Sequence, residues 1–414
     1  MNRSQDILIG LDAGTSVIKA VAFSLDGRQV GSAGVPNKVD YLDEGGAVQD
    51  IARTWTDAAQ ALRLLAEKVQ NLAQRTAALA ITGQGDGTWL IDKDGEPVTP
   101  AWLWLDGRAA PIIEAWRASD IGPALQKITG TALNPAIQSG QITWLKQHQP
   151  ESLGRAATAL HCKDWLYFKA TDERATDPAE GVFTYGNYRT RAYDDAVLDL
   201  LDLQDVAHLR PDIVAGSQHH APLTKEAADA TGLLAGMPVV LGPLDVIATT
   251  LGAGGYEPGK NVGISILGST GMHIRIFHDV ENVVISDQQV GYVMPFVVPG
   301  TYGGFQSHMA ATLNIDWLVD LACRFAEDAG VDGADRRDML LRLDQQAGAA
   351  RPGTLLFHPF ISENGERGPF VEPKARAQFL GLSTRTGPGD LMRAIYEGMA
   401  FAGRDCYRAL DHKP

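Results

Sequence analysis

The sequence is poor in the features that mark several large protein classes. Only three cysteines occur, Cys162, Cys323 and Cys406, all far apart. They exclude a disulfide framework and any CxxC metal knuckle, and they suit a reducing compartment. No apolar run approaches the ~20 residues needed to span a bilayer. Basic residues are outnumbered, 36 against 50 acidic ones, for a formal net charge of −14. A nucleic-acid or anionic-membrane partner needs the opposite balance. The N-terminal MNRSQD leads straight into an apolar stretch without a charged-then-apolar signal pattern. A cytoplasmic protein with neither nucleic acid nor membrane as partner is the expectation.

Two nucleotide-binding signatures are missing as well. There is no GxxxxGK followed by Ser or Thr, which excludes a P-loop. GAGGYE, 252–257, begins like a dinucleotide fingerprint but has Glu257 where the last glycine belongs. A Rossmann oxidoreductase is thereby disfavoured.

What is present points elsewhere. At 414 residues the chain exceeds one ordinary core, so two domains are expected. Residues 7–12 and 17–25 read as strands, with Asp26–Gly27 turning into a third at about 28–35. Residues 52–77 carry apolar groups at helical spacing: Trp55, Ala58, Leu62, Leu65, Val69 and Leu72. ALAIT, 78–82, reads as a buried strand running into the loop GQGDG. Residues 172–194 look irregular. Residues 261–279 repeat the opening plan of strand, small polar turn (GSTG, 268–271) and strand, which suggests two related halves, each offering a turn to a shared cleft. Residues 389–411 read as a helix with Asp390 at its N-cap.

The chemistry concentrates in few places. In DAGT, Gly14 admits backbone amides close to a phosphate, Thr15 and Ser16 add hydroxyl donors, and Asp12 suits Mg²⁺, commonly through water. Gly268, Ser269 and Thr270 offer similar donors without the acid. Tight turns favour the same residues, so these segments alone leave an ordinary hairpin open. Asp245, in GPLDVIATTLGAG, is either a general base for a substrate hydroxyl or a helix cap. Asp86 and Trp104 suit a polyol, a carboxylate for hydroxyls and a ring for the carbon chain. Asp106 and Arg108 read as a structural ion pair, and His219–His220 as surface loop.

Taken in order, these segments resemble the FGGY carbohydrate kinases, the family of glycerol, xylulose, ribulose and erythritol kinases. The matching segments are GLDAGTSVIKA, WLDGR (104–108), TDPAE (176–180), GPLD (242–245), GSTG, GERGP (365–369) and AQFLGLSTRTGPGDLMRAIYE (377–397). The resemblance implies an α/β fold of two ribonuclease-H-like domains, of the actin and hexokinase type, around a central cleft. Residues 1–250 would be the sugar-binding side and 251–414 the nucleotide-binding side. It implies ATP and Mg²⁺ as cofactors, with Asp12 organising the metal and Gly14, Thr15, Ser16, Gly268, Ser269 and Thr270 binding phosphates. Asp245 is the implied catalytic base. Gln84, Asp86, Trp104 and Asp245 are the implied acceptor contacts. The partners are a small polyol or sugar and ATP, and a homodimer is compatible with the family.

The pattern also departs from the family. Xylulose kinases usually show QMHG where this chain has Gln84–Gly85–Asp86–Gly87, and glycerol kinases place an arginine where Gly85 stands. NPAIQSG, 134–140, lacks the glycerol-kinase tyrosine. A short neutral polyol of the erythritol type is favoured over a pentulose such as xylulose or ribulose. Family members continue past the last helix to a GGGA-type segment near the adenine, so the second domain is expected to lack its usual end, with a catalytically silent sugar binder as the rival. An actin-like chaperone ATPase would not need GQGDG and WLDGR.

Overall fold

The computed structural model describes residues 5–258, 260, 262–330 and 335–411. Asn261, at the start of the second hairpin segment, and the terminal 412–414 lie outside the described residues. Described residues up to 254, together with 293–302, form one compact unit; those of 255–292 and from 303 onward form a second.

The first unit opens with β1 (Ile7–Ala13), β2 (Val17–Ser24) and β3 (Gln29–Pro36), an antiparallel meander whose inward residues Ile7, Ile9, Leu11, Ala13, Ile18 and Ala20 are fully buried. Strict alternation on β2 is what a sheet with a packed inner face requires. Helix α1 (Ile51–Lys68) covers that face with Ile51, Ala58, Ala61, Leu62 and Leu65. Its N-cap Asp50 accepts the Arg53 N–H at 2.9 Å. The helix stops at Lys68, short of the expected 77. Asn71 takes left-handed φ/ψ, a separate helical turn covers Leu72–Arg75, and Thr76 is recruited into β4 (Thr76–Gly83) by pairing with Ile7. The strand pairing outcompetes helical propensity at 76–77 because each strand residue gains ladder hydrogen bonds and a buried face.

Helix α2 (Cys162–Thr171) and helix α3 (Pro178–Tyr185) follow, then strands β5 (Ala221–Pro222) and β6 (Pro238–Leu241), and helix α4 (Asp245–Gly252). Helix α3 lies within the stretch expected to be irregular. Its signal was local: Asp177 caps it by accepting the Ala179 N–H at 2.9 Å, and Pro178 sits at N1, where its missing N–H costs nothing. The sheet runs β5-β6-β4-β1-β2-β3, with β1, β4 and β6 mutually parallel. Their C-terminal ends therefore lie side by side, at the edge where open α/β sheets place ligands. The 293–302 segment joins this unit through Val293 N–H on the Gly130 carbonyl and Arg191 on the carbonyls of Phe296 and Thr301.

The second unit repeats the hairpin with β7 (Gly263–Leu267) and β8 (Gly271–Phe277), followed by β9 (Tyr302–His308) beside β8. Helices α5 (Thr312–Asp328), α6 (Arg336–Ala349) and α7 (Pro388–Asp411) pack around Leu318, Leu343, Phe357, Met392 and Ile395. Asp390 lies inside α7 rather than at its cap; its carboxylate reaches back to accept the Gly387 N–H at 2.9 Å. No helix among the described residues is long and apolar enough to cross a membrane.

Candidate active site

Three acids far apart in sequence are gathered at neighbouring strand ends of the first unit. Asp12 sits at the end of β1, in register with Thr82 of β4. Asp86 follows β4, and Asp245 follows β6, whose Leu241 pairs with Ile81. Short bonds hold the strand ends together. Gln84 N–H donates to the Ala13 carbonyl at 3.0 Å, Gly242 N–H to the Ile81 carbonyl at 2.7 Å, and the Thr82 hydroxyl to the Pro243 carbonyl at 2.6 Å. Gly242 is required there, since a Cβ would stand 2.7 Å from the Ile81 oxygen.

The acids perturb one another. Burial pushes the Asp245 carboxyl up to about 7, and the charge of Asp12 adds to it. Burial also pushes Asp86 up to about 7, helped by Glu180 and, more weakly, by Asp245. Asp12 is raised too, by burial, with Lys19 opposing. One oxygen each of Asp12 and Asp86 is buried with no hydrogen-bond partner among the described residues. An unsatisfied buried carboxylate oxygen is costly unless a ligand completes it. The donor set at Asp12 fits a hard, oxygen-seeking cation such as Mg²⁺.

Asp245 is the first residue of α4, and Leu244 occupies the cap position. Asp245 therefore does not occupy the cap position of α4. Asp86 adopts left-handed backbone geometry, φ 57°, followed by Gly87 at φ 83°. For a residue other than glycine such a conformation costs ~1–3 kcal/mol and persists only where surroundings enforce it. Glu180 does so by accepting the Asp86 N–H at 3.0 Å, and Asn134 nearby works against the rise in the Asp86 carboxyl.

The remaining expected contacts form a relay. The indole N–H of Trp104 donates to the Thr15 hydroxyl at 2.8 Å, and that hydroxyl donates to Gln84 Oε1 at 3.0 Å. The Gln84 amide then donates to Gln49 Oε1 at 2.9 Å, and Gln49 to the Thr15 carbonyl at 3.0 Å. Gln84 is buried with both amide ends engaged, whereas Trp104 is 45% exposed. The Thr15 hydroxyl proton is also engaged, so Gly14, the Thr15 backbone and exposed Ser16 remain as the donors of this turn. Asn37 braces the turn through the Gly14 carbonyl at 2.9 Å. Asp106 and Arg108 form the structural pair, 2.6 Å apart and nearly buried, with the guanidinium 3.3 Å from the Trp102 ring centre.

In the second unit, Gly268, Ser269 and Thr270 form the exposed turn between β7 and β8. Thr312, first residue of α5, donates both its N–H (3.0 Å) and its hydroxyl (2.8 Å) to the Gly268 carbonyl. The turn is thus fixed with its hydroxyls outward. His219 lies half exposed against Glu173, a surface pairing.

Sequence reasoning missed Asn134, Gln49, His161, Lys163 and Glu180. Lys163 is fully buried, 2.6 Å from Asp164 and 2.9 Å from Asp177. Burial would lower its pKa, but these acids and Glu180 hold it well above the ordinary lysine range. Asp164, which burial would raise, is held well below the carboxylate range by Lys163 and His161. Each residue stood in the open in the sequence, but no spacing rule marks a lysine as interior.

The fold and the site have clear relatives. The model for the FGGY family of carbohydrate kinases, N-terminal domain, matches residues 7–252, and that for the C-terminal domain matches 265–414. An erythritol kinase from Brucella abortus (strain 2308) is 48% identical over 414 residues, all of this chain and 79% of that protein. A xylulose kinase from Escherichia coli (strain K12) is 28% identical, over 98% of this chain and 80% of that one. Among solved structures, xylulose kinase from Rhodospirillum rubrum superposes with a TM-score of 0.86 at 25% identity, covering 98% of this chain and 79% of the other. Plasmodium falciparum glycerol kinase with ADP gives 0.82 at 19% identity, covering 98% and 78%.

Proposed function

The chain belongs to the FGGY family of carbohydrate kinases, and from that premise we propose that it transfers the γ-phosphoryl group of ATP to a hydroxyl of a short neutral polyol of the erythritol type. The observation that carries the reading is the trio Asp12, Asp86 and Asp245 at the C-terminal ends of neighbouring parallel strands, two of them pushed up to about 7. The similarity to an erythritol kinase at 48% identity supports the choice of acceptor.

Each residue has a separate task in this reading. Asp86 accepts hydrogen bonds from polyol hydroxyls through its unpartnered oxygen, and the exposed Trp104 ring covers the carbon chain. Asp245 takes the proton of the attacking hydroxyl; a base with a value near the working pH suits that transfer. The amides of the Gly14–Ser16 turn and the turn Gly268–Thr270 bind phosphates. Asp12 would hold Mg²⁺, which when bound neutralises phosphate charge. Gln84 acts by orienting Thr15. Three acids around the acceptor make a poor home for a carboxylated sugar, since like charge repels the substrate.

The test is ADP release from the protein with erythritol, xylulose, ribulose and glycerol in parallel. Erythritol should give the highest kcat/KM. ADP release that no polyol stimulates would overturn the kinase reading, and a xylulose or ribulose preference would transfer it to a pentulose kinase.

A further inference from the structure

Glu180 is 2% exposed and contributes to no step above, yet it holds the acceptor loop. One carboxylate oxygen, Oε1, receives the Asp86 N–H at 3.0 Å. The other, Oε2, lies 3.1 Å from His161 Nδ1 and 3.7 Å from Lys163 Nζ. Lys163 is itself tied to Asp164 and Asp177, and Asp177 fixes the first turn of α3, on which Glu180 rides. His161, Asp164 and Glu180 lie close enough to share a metal ion, but the Lys163 ammonium already stands among these acids as their cation. The cluster is therefore a clamp.

Gly85 shows what the clamp grips. A Cβ at Gly85 would stand 3.0 Å from Glu180 Oε1 and 2.6 Å from Leu244 Cδ1. The loop is thus wedged, side-chain-free, between Glu180 and the residue that precedes Asp245. The length of Glu180 sets where the left-handed turn at Asp86 can sit, and with it the aim of the Asp86 carboxylate.

Building on the acceptor role given to Asp86 above, we propose that Glu180 is a positioning residue that sets polyol affinity by its reach to the Asp86 backbone, without touching the polyol. Its charge serves only to keep it beside His161 and Lys163. Reach and charge are separable: Glu180→Asp keeps the charge and loses one methylene, while Glu180→Gln keeps the length and an acceptor oxygen.

The experiment is steady-state kinetics on the full chain with erythritol and ATP varied independently, joined by calorimetry of erythritol without nucleotide. Glu180→Asp should raise the erythritol KM and Kd by ~10-fold or more, the scale on which supporting partners act, with the ATP KM unchanged. Glu180→Gln should restore both to within about 3-fold of wild type. The opposite order, or parallel rises in both KM values, would make Glu180 an electrostatic or merely structural group and overturn the proposal. Should Glu180→Asp fail to fold, Gly85→Ala pushes the same loop from the other side and should raise the erythritol KM alone; an unchanged KM there also overturns it. A wild-type protein that neither phosphorylates nor binds any polyol removes the kinase reading and this proposal together. An active wild type with an unaffected Glu180→Asp removes this proposal only.

Discussion

Both units begin with the same plan, a strand, a small polar turn and a second strand, and the two hairpins end in different environments. In the first unit β1 is interior, with β2 on one side and β4 on the other, and its alternate residues Ile7, Ile9, Leu11 and Ala13 are buried. In the second, β7 stands at the sheet edge among the described residues, no residue of it is buried, and Leu267 is 53% exposed. The end of β1 carries an acid whose proton affinity burial has raised, ahead of its turn; β7 ends without an acid, and its turn carries hydroxyls and glycine in the open. The same strand–turn–strand plan thus leaves a desolvated acid where the sheet continues past the strand, and exposed hydroxyls where it does not. The charge is altered by desolvation, which belongs to the sheet rather than to the hairpin.

The division of labour breaks most visibly at Asp245. Asp245→Asn should lower kcat by ~10²-fold or more with erythritol as acceptor, because a positioned base contributes on that scale. Retention of near-full turnover in an ADP-release assay would move the proton chemistry away from the first unit. Packing gives the next largest contrast. Leu62→Ala, under the buried sheet, should cost ~3 kcal/mol by urea denaturation. Leu267→Ser, on the exposed β7, should change stability by no more than ~0.5 kcal/mol; comparable losses would show that β7 is covered in solution.

Acidity sharpens the comparison further. The folded value of Asp86, about 7, lies above its unfolded value near 4. Between those values the folded protein holds the proton and the unfolded chain does not. Metal-free stability should therefore fall as pH rises from about 4 to about 7, by on the order of 3 kcal/mol from this group. Asp86→Asn should remove that part of the slope in thermal melts taken across the range. The smallest effect is expected at the second hairpin. Thr270→Ala should raise the KM for ATP by about 5-fold, the worth of one hydrogen bond of ~1 kcal/mol, and leave the erythritol KM alone. A rise in the polyol KM instead would erase the distinction between the two turns.

How much of this was readable beforehand differs from element to element. The first hairpin and α1 announced themselves because one face of each is buried and the other wet, which writes a period of 2 or 3.6 into the sequence. Helix α2 gave no such signal. Nearly all of its ten residues are buried, Lys163 and Asp164 included, so polarity does not alternate along it. The buried clamp was illegible for a related reason: Lys163 and Asp164 in α2, and Asp177 and Glu180 within TDPAE at the start of α3, are residue types that ordinarily face solvent. Asp12, Asp86 and Asp245 were singled out through their motifs, and the start of α4 shows only that Leu244, not Asp245, stands at the cap position. Asn134 opens NPAIQSG, a segment weighed only for its missing tyrosine, and Gln49 carried no motif; proximity brings both to the acids and their relay.

The sequence by itself determined the family, through motifs whose order along the chain is unmistakable, and the local elements whose patterning depends on near neighbours. The tertiary structure alone decided which acids meet at neighbouring strand ends, which of them burial makes weaker acids, which amides are already spent on the protein, and that Glu180 accepts the Asp86 N–H. Those properties depend on strand adjacency and on exclusion of water, and both are fixed by residues tens to hundreds of positions away along the chain.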